Sequence, residues 1–395
     1  MIEISLNMYH ATAIAALVLL LGRFIVKKVP LLSKFCIPAP VVGGIIYSLV
    51  HLVLYVTGVA TISFDGTLQS FFMTVFFTSV GFMASFALLK KGGIQVFMFL
   101  GVSIVLVVLQ DVLGCGLAGL FGLDPRLGLC VGSVPMVGGH GTAGSFGPLI
   151  EGLGVDGAAA VAVAAATFGL VAGSMLGGPV GTTRIKKHDL KSTAKVTQDV
   201  ADDSAAVREV SNEKFLNAAL FFALAIGLGE IISSLIVKAG LTMPSYIGAM
   251  LAAALIRNIV DAAKIEAPMP EIDALGNLSL NLFLAQALMA LKLWQLADLA
   301  IPMIVMLIAQ TVLMFFFAYF VVFNVMGRDY EAAVMCSATC GFGMGATPNA
   351  MANMGAIANK YGPAPRAFFV VPLVGSLFID FFNSVIISAF LNFLG

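Results

Sequence analysis

Apolar residues fill ten long stretches of the chain, near 10–27, 38–57, 67–89, 94–121, 156–182, 215–237, 243–260, 274–294, 299–325 and 363–392. Each is close to the roughly 20 residues that one helix needs to cross a bilayer. Only one polar stretch between them is long. RIKKHDLKSTAKVTQDVADDSAAVREVSNEK, residues 184–214, is dense in charge and free of Phe, Trp and Tyr, which predicts a linker. Two more segments, 126–152 and 329–360, are apolar enough to enter the membrane but are broken midway by glycine and proline. They predict hairpins that dip in and return on the same side.

Charge placement tests this arrangement, because Lys and Arg gather in cytoplasmic loops. With the N-terminus outside, the outer loops hold only Arg126, Lys238 and Lys292 of the 21 basic residues, which leaves 18 inside. The expected topology has both termini outside and the linker in the cytoplasm. The opening MIEISLNMYHA has no basic stretch and no small-residue cleavage site, so no signal peptide is expected.

Each half then has five crossings and one hairpin, and an odd number inserts the second half upside down. Two alignments support related halves: IPAPVVGGIIYSL (37–49) resembles MPSYIGAMLAAAL (243–255), and FGLDPRLGLCVGS (121–133) resembles MGRDYEAAVMCSA (326–338). Nearly the same offset sets Gly138 on Gly343 and Thr142 on Thr347. The predicted fold is an all-α polytopic membrane protein of two inverted-topology halves, 1–183 and 215–395, each of five transmembrane helices plus one re-entrant hairpin. Inverted repeats with broken membrane segments are the mark of secondary transporters.

Composition agrees. The 395 residues are 60% hydrophobic and 11% charged, against about a quarter charged in a soluble domain. The 21 acidic and 21 basic residues cancel and give no pointer to nucleic acid. Five cysteines, 36, 115, 130, 336 and 340, sit in apolar runs without a C-x-x-C pair and read as small packing residues. No H-E-x-x-H, P-loop or nucleophile–base cluster is present, so neither an enzyme nor a cofactor is expected.

The hairpin tips carry the candidate chemistry. Irregular backbone at membrane depth is tolerated only when it is buried in protein or lines a wet cavity. GGHGT (138–142) and GFGMGATPN (341–349) enter from opposite sides and are expected to meet near the midplane, with amides and carbonyls free for a ligand. Thr347 suits an N-cap and Pro348 a first helical position, which would aim an electropositive helix start at an anion. Pro148 suggests a similar start in the first hairpin. His140, the one histidine in a tip, reads as a hydrogen-bonding group that pins the turn.

Two aspartates, Asp111 and Asp380, stand inside predicted spans with no basic partner. Such a carboxylate must be protonated or meet another cation, either a metal ion such as sodium or a substrate ammonium. Asn383 lies at i+3 from Asp380 and adds an amide oxygen to that face, a ligand type suited to sodium. For Asp111 a packing role weighs equally. Asn277 and Asn281 share a face and either bond across helices or line the path. Glu230 reads as interfacial, and Lys292 and Trp294 as interface anchors.

GLDPRLGLCVGSVPMVGGHGTAGSFGPL, VAAATFGLVAGSMLGGPV, LGNLSLNLFLAQALMALKLWQLADLAIPM, CGFGMGATPNAMANM and YGPAPRAFFVVPLVGSLFIDFFNSVII resemble, in order, the bacterial sodium/glutamate symporters. The likeness runs from about residue 17 to the end and fails mainly in the linker. It implies sodium-coupled glutamate uptake across a bacterial inner membrane by a homodimer with elevator-like movement. It would set L-glutamate and sodium near the tips, at Gly138, Gly139, Thr142, Gly343, Gly345, Thr347 and Asn349. Asp380 and Asn383 are then the main sodium candidates and Asp111 a lesser one. The chain departs from the family pattern at Asp111, where Asn is expected, and at Gln286, where an apolar residue is expected. Read from the residues alone, a carrier of another carboxylate and an ion-translocating decarboxylase subunit stay open.

Overall fold

The computed structural model describes residues 1–91, 93–192, 212–238, 244, 246–296 and 299–395. The expectations for most of the linker, and for 243 and 245 at the start of one span, lie outside the described residues. The first half comprises β1 (Ile2–Leu6), α1 (Met8–Lys28), α2 (Pro30–Lys34), α3 (Ala39–Val56), β2 (Ala60–Phe64), α4 (Thr67–Met83), α5 (Phe86–Lys91) and α6 (Gly93–Leu120). It continues with α7 (Pro125–Leu129), α8 (Ser133–Met136), α9 (Gly139–Gly152) and α10 (Ala158–Lys187). The second half holds α11 (Asn212–Lys238), α12 (Tyr246–Ala262), α13 (Met269–Met289) and α14 (Ala300–Phe316). A π-helical turn at Phe317–Val322 leads from α14 into α15 (Phe323–Val325). The chain ends with α16 (Tyr330–Phe342), α17 (Thr347–Tyr361), α18 (Pro365–Leu377) and α19 (Ile379–Leu394).

Among the described residues eight helices are long and apolar enough to cross a membrane: α1, α3, α4 with α5, α6, α10, α11, α13 and the run from α14 to α15. The last expected span is a pair, α18 and α19, bent by 41°. The remaining one is the 17-residue α12. The protein is therefore polytopic. One departure from the all-helical expectation is the parallel pairing of β1 with β2, Ile2 opposite Ala60. IEISL and ATISF are short and rich in β-branched residues, which suits a strand outside the apolar runs.

Packing sorts the helices into two bodies, each drawn from both halves of the sequence. α1, α3 and α4 pack with α11, α12 and α13 as a framework, and α6–α10 pack with α14–α19 as a core. Within the framework α1 and α3 cross at Gly22 and Gly43. An added Cβ at Gly22 would strike the Ala39 carbonyl, and one at Gly43 the Val18 carbonyl, so the backbones touch. In an 18-residue apolar stretch of α10 56% of the residues are buried, against 17% in the matching stretch of α11, which sets α10 in the middle of the core and α11 at the rim.

Besides the segment between α10 and α11, which lies mostly outside the described residues, two connectors join framework to core, and each is held by the framework. Between α4 and α5, Asn258 Nδ2 donates to the Ala84 carbonyl and the Phe86 N–H donates to Asn258 Oδ1, both at 2.8 Å. Ser85 Oγ donates to Asp261, which pairs with Arg257 at 3.0 Å. Between α13 and α14, Trp294 stacks on Tyr55 at 3.9 Å and meets His51 edge-on.

The two glycine-rich segments each begin and end at one place. Arg126 Nη1 donates to the Leu153 carbonyl at 3.5 Å; Tyr330 Oη donates to the Gly362 carbonyl, and Arg366 pairs with Asp329 at 2.6 Å. The expected linker starts late. α10 runs on to Lys187, and Arg184 is buried with its guanidinium 3.6 Å from the Tyr319 ring and donating to the Tyr319 carbonyl.

Candidate substrate site

α9 begins at Gly139, and no side chain caps its start. Gly139 has φ +58°, a left-handed conformation that favours glycine, and a Cβ there would lie 2.9 Å from the Gly345 carbonyl oxygen. The two tips thus touch through backbone. α17 starts at the other tip, again without a side-chain cap. Both helix starts border one region; Pro348 has no N–H and the Asn349 N–H donates to the Ala346 carbonyl, so the first turn of α9 and the Thr347 N–H are the main-chain donors available to an anionic group.

That region is a cavity of about 300 Å³ on the boundary between the two bodies. The core supplies Gly138–Gly141, Gly345, Thr347, Ser376 and Asp380, and the framework supplies Cys36, Pro40, Phe76 and Asn281. A second cavity of about 210 Å³ adjoins it through Phe76, Ser376 and Asp380 and is bordered by Ser79, Asp273 and Asn277. No Lys or Arg lines either cavity among the described residues. The donors in this site are therefore backbone N–H groups, hydroxyls, the amides of Asn277 and Asn281 and the His140 imidazole, and the charged side chains are carboxylates.

Residues 4–363 match the sodium/glutamate symporter family. The sodium/glutamate symporter of Escherichia coli (strain K12) is 39% identical over 394 residues, covering 97% of this chain and 98% of that one. The sodium/glutamate symporter of Haemophilus influenzae is 36% identical over 389 residues, covering 96% of each. This chain belongs to the sodium/glutamate symporter family. The matched region of this family member stops before α18, so the wall made by Ser376 and Asp380 lies beyond it.

Of the residues expected to meet substrate or ion in this symporter-family chain, Gly138, Gly139, Gly345, Thr347 and Asp380 border the cavity. The other five lie behind it. Thr142 is buried one turn into α9, against Gly138. Asn349 donates from Nδ2 to the Leu170 carbonyl at 2.9 Å, tying α17 to α10, while its buried Oδ1 has no partner among the described residues. The carbonyl of Gly343 accepts from Gln110 Nε2 at 2.7 Å. Asn383 donates to the Ser133 carbonyl at 3.2 Å, and both Asp111 oxygens accept from Ser133.

Two helix starts differ from expectation. Thr347 is the first helical residue of α17 and not its cap; Ala346, with extended φ and ψ, holds the cap position. The reason is a competing partner, since Thr347 Oγ1 donates to the Gly375 carbonyl of α18 at 2.7 Å. Pro148 lies inside α9, because the helix already starts at the tip, nine residues earlier.

His140 faces the cavity, with Nε2 3.0 Å from Thr167 Oγ1. The single Thr167 hydroxyl proton goes to the Val163 carbonyl, so the imidazole donates. Asn281 donates to the Asn277 carbonyl of its own helix, and the two residues line neighbouring cavities. Gln286 bonds across helices to Thr12 Oγ1 at 3.2 Å, and Lys292 pairs with Glu151 at 3.2 Å. Glu230 is exposed beside Ser70 and Thr74. The framework wall, Cys36 to Pro40 and Phe76, had no signal in the sequence beyond its prolines.

Proposed function

We propose that this chain takes up L-glutamate together with sodium across the bacterial inner membrane by alternating access, the core moving against the framework. The observation that carries this reading is the convergence of both glycine tips and Asp380 on one cavity between two bodies. The helix starts at Gly139 and Thr347 receive the carboxylates of glutamate, and Asp380 meets a sodium ion or the substrate ammonium. Asn383, one turn along α19, keeps an amide oxygen with no partner among the described residues. Sodium bound first orders the tips for the anion, which couples the two ligands through a shared site.

The shape of the chain supports the inverted halves. The first three spans of each half form the framework, and the last two with one glycine-rich segment form the core. Each such segment returns to its own side, as a re-entrant hairpin does. With both termini periplasmic, the second cavity leads past Met83 and the exposed Asp273 to the cytoplasmic end, so this conformation faces inward. The symporter resemblance adds a homodimer to the proposal.

Uptake of radiolabelled L-glutamate into proteoliposomes holding only this chain tests it. Inward sodium, potassium and proton gradients are compared, and accumulation is expected with sodium alone. Uptake of glutarate, which lacks the amine, in preference to glutamate would move the assignment to another carboxylate. Failure of the folded chain to move any carboxylate unaided would favour a subunit that needs a partner.

A further inference from the structure

Gln110 and Asp111 are consecutive residues in the middle of α6, both buried, and neither borders the cavity. Successive helix positions point about 100° apart, so the pair reaches two different neighbours. Gln110 Nε2 donates at 2.7 Å to the carbonyl of Gly343, where α16 ends and the second tip begins. Asp111 accepts the Ser133 N–H at 2.8 Å and the Ser133 hydroxyl at 2.9 Å, at the start of the short α8 that runs into the first tip.

Two more amides brace these contacts. Gln310 Nε2 donates to the Gln110 main-chain carbonyl at 2.8 Å, and Asn383 Nδ2 donates to the Ser133 carbonyl at 3.2 Å. The side-chain oxygens of Gln110, Gln310 and Asn383 are buried and have no partner among the described residues. Idle buried oxygens are unfavourable, and a leucine at any of these places would avoid them. What a leucine lacks is the N–H that holds the Gly343 carbonyl of the second tip, or that braces the Gln110 and Ser133 carbonyls behind the tips.

We infer that Gln110 and Asp111 are positioning residues: they fix both glycine tips to one helix and so set the spacing at which the tip N–H groups meet the substrate. The inference rests on the tips being the glutamate site. It separates Asp111 from the ion ligands, because here the aspartate acts through Ser133.

Protection of Cys36 from a maleimide by glutamate in sodium reads binding without turnover, since Cys36 lines the cavity. The full chain carries Cys115→Ser, which removes the other partly exposed thiol. Gln110→Met is expected to raise the glutamate midpoint about tenfold, the scale of one buried hydrogen bond, while uptake at saturating glutamate stays within about threefold. Asp111→Leu should match it. Asp111→Asn keeps an acceptor for Ser133 and should stay within about threefold of wild type. Melting temperatures identify variants that fail to fold; Ser133→Ala then replaces Asp111→Leu, and Gln310→Leu replaces Gln110→Met.

Wild-type midpoints in these variants would overturn the inference. If Asp111→Asn loses as much as Asp111→Leu, charge matters and not the contact, and Asp111 is an ion ligand. If wild-type protein shows no sodium-dependent protection at all, the substrate reading itself fails and takes this role with it.

Discussion

Asp380 borders both cavities from the first turn of α19, and its carboxylate has no hydrogen bond or ion pair among the described residues. A carboxylate in such surroundings is stable only with a cation beside it. Asp380→Asn should therefore raise the sodium concentration for half-maximal uptake by about tenfold or more, the scale of a charge-assisted contact. A sodium titration of glutamate uptake checks this, and an unchanged midpoint would remove Asp380 from the ion site. Gly139→Ala should weaken glutamate binding about tenfold, since alanine is strained at φ +58° and its Cβ crowds the Gly345 carbonyl. Gly152→Ala, with open space around its Cα, is the matched control. The tips and Asp380 were legible in the sequence because glycine, proline and charge each interrupt an apolar run. Thr347 was misplaced as a cap because its hydroxyl partner, Gly375, is 28 residues away. Of the framework wall only Asn281 and the prolines gave any signal, since nothing local to Cys36 or Phe76 says which helix they will face.

At the scale of elements, hydropathy located eight of the ten expected spans as long apolar helices and a ninth as a bent pair, because twenty apolar residues have few other uses, but it is blind to breaks that keep a run apolar. The bend between α18 and α19 is one such break, and the π-helical turn at Phe317–Val322 is another. Pro372 and Gly375 in α18 were the available hints. Helix contacts without intervening side chains give the sharper test. Gly43→Val should push α1 and α3 apart and lower stability by about 1–3 kcal/mol, the usual range for overpacking. Gly101→Ala, where nothing lies within 4 Å, should be neutral or slightly stabilising by helix propensity. Melting curves in detergent, followed by size-exclusion chromatography, separate the two; equal behaviour would mean that the α1–α3 crossing is looser than its geometry.

For the whole molecule, the division into framework and core makes a single ion pair informative. Among the described residues, Lys292–Glu151 is the one salt bridge that joins the two bodies, α13 at its end to α9. Glu151 also accepts the Ala159 N–H at 3.2 Å, so the carboxylate is anchored in the core while Lys292, half exposed, reaches from the framework. Under the proposed alternating access, motion of the core would break this pair, so the pair would favour the arrangement seen here, which that proposal reads as inward-facing. An exposed pair contributes up to about 1 kcal/mol, so its loss can shift the balance between the two states by up to about fivefold. Lys292→Met should slow maleimide labelling of Cys36 in the absence of substrate, because the outward-facing state withdraws the core wall of the cavity and closes the cytoplasmic path. Lys292→Glu should slow it further, since two carboxylates would then face each other. Raising ionic strength with choline chloride should move wild-type protein in the same direction and leave Lys292→Met unchanged. Burial pushes the Cys36 thiol above its ordinary range, so labelling is compared at one fixed alkaline pH. If labelling is identical in all three proteins at every salt concentration, the pair does not separate during transport, and the core does not slide at this boundary.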